Sequence, residues 1–201
     1  MRILEALEEA WEELEEYVEV TNVGEILRRY FAMNAFDGAL TMLGFVMGSY
    51  VSGLEDARIV LAAGLSMSLA MGVSGFVGAF ITEKAERERS VRELERIMLT
   101  RLDGTVIDRA SKIATLLAAI VDACAPAVAA LISASPFVLV LLRVLEFKVA
   151  VYLSIGISLT FLFLLGAYLG RVAGNSSLVY GLYMLAAGLA TSVLIGLIGG
   201  W

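Results

Sequence analysis

The sequence predicts an all-α integral membrane protein with five transmembrane helices, a cytoplasmic helical insert between spans two and three, and an amphipathic N-terminal helix. Two observations predict this class. The 201 residues are 59% hydrophobic, whereas soluble domains are about 45–50% apolar, and the mean hydropathy is +0.83. Only 18% of the residues are charged, and most of those lie before Glu25 or between Glu83 and Lys112. A soluble chain this small could not bury so much apolar surface.

The first predicted element is an acidic amphipathic helix with its lead-in, within residues 1–30. Apolar side chains recur at three- and four-residue spacing from Leu4 to Val18, and glutamates occupy the other faces. Because the chain starts with an acidic segment, we do not expect a cleavable signal peptide. We interpret the glutamates as a solvated face opposite an apolar stripe.

Five apolar segments have the length of about 20 residues that crosses a bilayer. The predicted spans are Ala32–Leu54, Ile59–Thr82, Ile113–Ala134, Val149–Gly170 and Leu178–Gly200. The organisation that follows is two spans in 31–82, a charged insert in 83–112, and three spans in 113–201.

The insert is predicted to be mostly helical. Residues 83–98 read as a charged continuation of span two, and Asp103 with Gly104 signals a turn. Thr105 followed by Asp108 fits a capping box that starts the next helix.

Basic residues predict the orientation, because cytoplasmic loops carry an excess of lysine and arginine. The short first loop has only Arg58, whereas the insert holds Lys84, Arg87, Arg89, Arg92, Arg96, Arg101, Arg109 and Lys112. We therefore expect the N-terminus and the insert to be cytoplasmic and the C-terminus to lie outside.

Composition also excludes several functions. The chain lacks histidine, the commonest transition-metal ligand, and its single cysteine, Cys124, cannot form an intramolecular disulfide. No basic tract with interleaved aromatic residues is present, so we expect no nucleic-acid partner. We expect no permanently bound cofactor.

Two carboxylates interrupt the apolar spans. Asp37 lies near the cytoplasmic end of span one, and Asp122 lies midway along span three. A charge inside a bilayer is costly and usually faces a bundle interior or a water-filled path. Such groups suit the exchange of a proton for a cation, although a protonated carboxyl bonded to a neighbouring helix is the structural alternative.

Other residues qualify as cation ligands. Thioether sulfur is a soft ligand that favours transition metals, and Met67 and Met71 lie on one face of span two, although plain packing is the other interpretation. Glu83, Glu86 and Glu93 in the insert could collect cations on the cytoplasmic side. Arginines are interleaved with these glutamates, however, which indicates salt-bridged helices more than a bare metal site.

Two stretches resemble the vacuolar iron transporter family. Phe36–Gly48 (FDGALTMLGFVMG) is similar to that family's first span, and Ala63–Glu88 is similar to its second. The resemblance implies a homodimer that moves Fe²⁺ or Mn²⁺ out of the cytosol in exchange for protons. For a divergent prokaryotic-type member of the family, it implies a location in the plasma membrane. Asp37 matches the family's first-span aspartate. Met67 falls where the family usually has a glutamate, and we hypothesise that Asp122 compensates.

The leading hypothesis is therefore a metal/proton antiporter, not an enzyme, with Asp37 and Asp122 as metal ligands and proton carriers. The alternative is a non-transporting membrane protein whose N-terminal helix docks a partner. An intramembrane aspartyl protease is disfavoured, because the contexts Phe-Asp-Gly and Val-Asp-Ala differ from the motifs of those enzymes.

Overall fold

A computed structural model describes residues 23–199 of the chain. The predicted N-terminal amphipathic helix lies outside these residues. The described chain is all-helical, and its elements are α1 Val23–Val51, α2 Ala57–Met98, α3 Val106–Leu141, α4 Phe147–Val172 and α5 Ser177–Gly199. Each of these five helices is long and apolar enough to cross a membrane. The predicted fold class is confirmed to that extent.

The helices extend beyond the predicted spans. α1 already begins at Val23, so Gly24 does not interrupt it. α2 runs unbroken through the charged sequence to Met98, as predicted. α3 contains both Pro126 and Pro136 without ending. The apolar stretch after Ala134 is therefore largely a continuation of the third helix.

The start of α3 is capped by side chains. The hydroxyl of Thr105 donates to the carbonyl of Leu102 at 2.7 Å and accepts from the Asp108 N–H at 3.5 Å. Asp108 Oδ2 accepts in return from the Gly104 N–H at 3.0 Å. Gly104 has a positive φ of 70°, a conformation that glycine adopts without strain. The predicted capping box is present, with its return bond made to Gly104.

The chain forms two compact units. The first unit comprises the described part of Met1–Phe31 together with Val73–Ala123, and the second unit comprises Ala32–Gly72 with Cys124–Trp201. In the second unit one apolar cluster gathers around Met42, Val60 and Phe137, and another around Leu43 and Leu162. α1, the later part of α3 and α4 contribute to both clusters, so these three helices form the centre of this unit.

Within the second unit, glycines allow α4 and α5 to pack closely. A Cβ on Gly166 would collide with the Tyr180 carbonyl oxygen, and one on Gly170 would lie 2.8 Å from Ser177 Cα. Small residues are the usual means by which membrane helices approach. Gly196 has no atom within 4 Å of such a Cβ in the described chain, so it has no comparable contact.

Candidate functional site

Asp122 is buried in the first unit, in the middle of α3. Only 7% of the residue is exposed. A Cβ placed on Gly75 of α2 would lie 2.7 Å from Asp122 Oδ2 and 3.0 Å from its carbonyl oxygen. The absence of a side chain at Gly75 therefore lets the α2 backbone approach both oxygen-bearing groups of Asp122.

The main chain at Asp122 has an unusual hydrogen-bonding position. In an α-helix, each carbonyl accepts from the N–H four residues later. Pro126 occupies that position within α3 and has no N–H. Position 126 therefore cannot donate the usual helical hydrogen bond to the Asp122 carbonyl, which lies beside the carboxylate of the same residue. Two oxygen groups of one residue, one anionic and one strongly dipolar, are a suitable pair of ligands for a cation.

A buried ion pair lies in the same unit. Arg87 Nε donates to Glu83 Oε2 at 3.2 Å, and the Tyr30 hydroxyl donates to Glu83 Oε1 at 3.1 Å. Glu83 is only 7% exposed. Asp122 interacts electrostatically with Tyr30. Tyr30 therefore interacts with both buried carboxylates of this unit, by a hydrogen bond to Glu83 and electrostatically with Asp122.

Asp37 lies in the second unit, and its surroundings differ. The longer α1 puts it at the helix midpoint, where the predicted span had placed it near one end. The residue is exposed, as is Thr41 one turn later. At the next residue, about 100° round the helix, a Cβ on Gly38 would collide with the backbone of Pro126. Asp37 thus projects away from a tight helix contact.

The two methionines also belong to the second unit. Met67 packs, partly buried, against the apolar cluster that contains Met42 and Val60. Met71 is likewise half-buried. The surroundings of Met67 are those of a packing residue, and its thioether as a ligand stays a prediction.

The insert glutamates have three different environments. Glu83 is buried and paired with Arg87, and Glu93 pairs with Arg89 at 3.2 Å on an exposed surface. Glu86 is exposed. The interleaved arginines form these i,i+4 pairs as the sequence indicated. Cation collection by the three glutamates remains a prediction.

Within residues 23–199, no three cysteine, aspartate or glutamate side chains form a group that could hold a metal ion. The first unit brings together Asp122, Glu83 and Tyr30 through the interactions above, and the methionines and Asp37 belong to the second unit. Sequence reasoning did not select Tyr30, Arg87 or Gly75. The Glu83–Arg87 spacing was a usable signal for Arg87, whereas the contacts of Tyr30 and Gly75 are made to distant parts of the chain.

Comparison with known proteins shows that the chain is similar to an archaeal protein. No family model matches the chain. A protein of Methanocaldococcus jannaschii, named uncharacterized protein MJ0645, is 32% identical over 174 residues. The alignment covers 85% of this chain and 87% of that protein.

Proposed function

The chain belongs to the same family as MJ0645 of Methanocaldococcus jannaschii, and we propose that it is an integral membrane transporter that moves Fe²⁺ or Mn²⁺ out of the cytosol in exchange for protons. The sequence resemblance of Phe36–Gly48 and Ala63–Glu88 to vacuolar iron transporters supports this proposal.

The observation that carries the proposal is the buried Asp122 with Gly75 packed on it. A carboxylate enclosed in an apolar helix is unfavourable when ionised and alone. The carbonyl of the same residue and the Tyr30 hydroxyl, which interacts electrostatically with Asp122, are oxygen groups that a hard or borderline cation can use. A site of this kind is stable when it holds either a proton or a cation. It is unfavourable when it holds neither of them. That alternation is the requirement for exchange.

Asp37 supplies the second proposed ligand. It is exposed at the midpoint of an apolar helix, and an intramembrane carboxylate usually faces protein or a water-filled path. A second copy of the chain, placed along this face of α1, would provide such surroundings. We therefore propose a homodimer in which the metal path runs beside Asp37 of each copy.

The proton coupling follows from the same residues. Removal of the metal leaves Asp122 as a buried carboxylate without a cation, and an ionised carboxylate inside an apolar span is costly. A proton then takes the place of the cation. Transport of one species in one direction therefore drives the other in the opposite direction.

The test is metal uptake into proteoliposomes that contain the purified full chain, with an imposed proton gradient. We expect Asp122→Asn and Asp37→Asn each to lose most of the Mn²⁺ flux. The matched control is Glu55→Gln, an exposed carboxylate in the loop between α1 and α2, which should retain it. Wild-type flux in both aspartate variants would refute the proposal.

A further inference from the structure

The half of α2 that follows Glu83 ends in an exposed apolar patch. Charged residues occur in every turn of this half, so it lies outside the apolar segment that crosses the bilayer. The exposed fractions are 39% for Leu94, 78% for Ile97, 54% for Met98 and 91% for Leu99. We call these four residues the insert patch. Apolar side chains in water are stabilised when they are covered, and a patch of them marks a contact surface.

The end of α2 adds to this patch in an unusual way. The Thr100 N–H donates to the Glu95 carbonyl at 3.3 Å, which is the closing bond of a Schellman turn. Leu99 precedes that bond and has a positive φ of 53°, at the position that glycine usually occupies. A leucine makes this turn less favourable and supplies the most exposed side chain of the patch. A contact made by this side chain would offset that cost.

The first part of α1 packs on the same face of α2. The Tyr30 hydroxyl donates to Glu83 at 3.1 Å, and both residues belong to the first unit. Leu94 and Ile97 follow Glu83 by 11 and 14 residues, which places both within about 40° of its direction on the helix. The insert patch therefore continues the face that α1 covers at Glu83.

The described part of α1 ends before it reaches the patch. α1 and α2 are joined by a short loop and meet at Tyr30, so they run antiparallel. From Tyr30 back to Val23, α1 extends about 10 Å along α2. α2 then continues about 12 Å further, to Met98. Residues 1–22 precede α1 at this point, and a helix of that length would span about 33 Å. They are long enough to cover the patch and adjoin it at the correct end.

The sequence of residues 1–22 provides a matching apolar surface. We count residues at equal helical rise in the antiparallel register that the hydrogen bond between α1 and α2 sets. Val18 then comes level with the residue after Leu94, and Leu14 comes level with Leu99. Val18 and Leu14 belong to the predicted apolar stripe of the N-terminal segment. The stripe and the insert patch are therefore opposite one another.

The charges of the two regions are complementary. Residues 1–22 contain eight glutamates and one arginine. From position 96 to position 102 the insert has Arg96 and Arg101 but no carboxylate. Within residues 23–199 neither of these arginines forms an ion pair, whereas Arg89 pairs with Glu93. The end of the insert thus has two cations available for an acidic partner.

From these observations we propose that residues 1–22 dock on the insert patch of their own chain. The apolar stripe covers the four patch side chains, and glutamates beside the stripe pair with Arg96 and Arg101. The acidic N-terminal segment is then a brace for the charged half of α2. The proposal does not depend on metal transport.

The experiment measures how fast a water-soluble maleimide labels a single cysteine in the purified full chain. Cys124→Ala provides the cysteine-free background, and Ile97→Cys places the labelling site in the insert patch. We expect Leu14→Gln/Val18→Gln to raise the labelling rate at position 97 at least about tenfold, because two apolar side chains no longer hold the segment on the patch. An unchanged rate would overturn the proposal.

The matched control is Arg89→Cys in the same background. The Arg89 side chain is 68% exposed, and it lies about 140° round the helix from Leu94. Its labelling rate should be the same with and without Leu14→Gln/Val18→Gln. An equal rise at both positions would mean that the variant loosens the whole insert, and would also overturn the proposal.

A disulfide decides which copy supplies the segment, and it decides the outcome if Leu14→Gln/Val18→Gln does not fold. In the Cys124→Ala background, oxidation of Val18→Cys/Leu94→Cys should crosslink the two positions within one chain. Glu8→Cys/Leu94→Cys, which is out of register by ten residues, should not crosslink. A crosslinked dimer would assign the patch to a second copy, and failure of the Val18→Cys/Leu94→Cys pair to crosslink would leave the patch uncovered. Either result contradicts docking within one chain.

Discussion

Asp37 and Asp122 both interrupt apolar helices near their midpoints, yet their surroundings are opposite. Asp122 is 7% exposed and lies against the backbone of Gly75, whereas Asp37 is exposed. The chain therefore completes the environment of one carboxylate by its own folding. Residues 23–199 of a single chain do not enclose the other.

A shared feature makes the comparison informative. Each aspartate is associated with a glycine that contacts α3: Gly75 approaches Asp122 itself, and Gly38, the neighbour of Asp37, approaches Pro126. The same close packing occurs near both aspartates, but only Asp122 is buried. Gly38 faces α3, whereas Asp37, the residue before it, faces a different side of α1 and is exposed. Gly75 thus contacts the buried carboxylate itself, whereas Gly38 contacts only backbone.

The largest expected effect comes from filling these glycine contacts. A Cβ at position 38 would collide with the Pro126 backbone, and a Cβ at position 75 would lie 2.7 Å from a carboxylate oxygen that can rotate and 3.0 Å from a carbonyl that cannot. We expect Gly38→Ala and Gly75→Ala to lower the free energy of unfolding by about 1–3 kcal/mol. Gly38→Ala should be the more severe, since only backbone opposes it.

Thermal unfolding of the detergent-solubilised chain measures this difference. Gly78→Ala in α2 and Gly156→Ala in α4 are the controls, because no atom lies within 4 Å of a Cβ at either position in the described chain. If all four variants melted together, the glycine contacts would not explain the different burial of the two aspartates.

A smaller effect is expected from the hydroxyl group near Asp122. Tyr30→Phe removes the 3.1 Å hydrogen bond to the buried Glu83. A hydrogen bond to a charged group contributes about 1.5–3 kcal/mol when buried. We expect a loss toward the lower end, because Tyr30 is only half-buried and the Arg87 contact remains.

The control for Tyr30→Phe is Tyr152→Phe. Its hydroxyl lies 3.5 Å from that of Tyr50 on an exposed surface of the second unit, so its loss should leave stability nearly unchanged. The unfolding free energies of both variants test whether the Tyr30 hydroxyl contributes more to stability than the Tyr152 hydroxyl does. Equal effects would contradict that view.

The five long apolar helices and the start of α3 were predictable, because hydropathy over about 20 residues and the Thr105–Asp108 capping pattern are local signals. The burial of Glu83 was not. Its sequence neighbours are charged and indicate a solvated helix, but its enclosure depends on Tyr30, 53 residues away. Local periodicity has no information about such a contact.

The two aspartates show the same limit. Both occur in apolar sequence, and hydropathy treats them alike. The two aspartates differ in burial because they lie on different sides of their helices relative to the neighbouring helix. The contacts of Gly38 and Gly75 with backbone atoms show which side that is. Asp37 also lies nearer the middle of its helix than the predicted span indicated, because α1 continues back through Arg28 and Arg29 to Val23. The two arginines lower the mean hydropathy, so a hydropathy window does not detect this part of the helix.

The smallest expected effect concerns Asp108, a carboxylate that precedes the third apolar segment and serves as a reference for both aspartates. The hydrogen bond from Lys112, followed by that from the Gly104 N–H, holds the pKa of Asp108 below its ordinary value of 3.8. A lowered pKa means that the ionised side chain stabilises the folded chain above pH 3.8, and that this contribution disappears as the pH falls through the lowered value. Asp108→Asn should therefore melt slightly below wild type at neutral pH, and the gap should close in strong acid. Melting curves at the two pH values check this, and a gap that widened in acid would show that Asp108 acts through its shape rather than its charge.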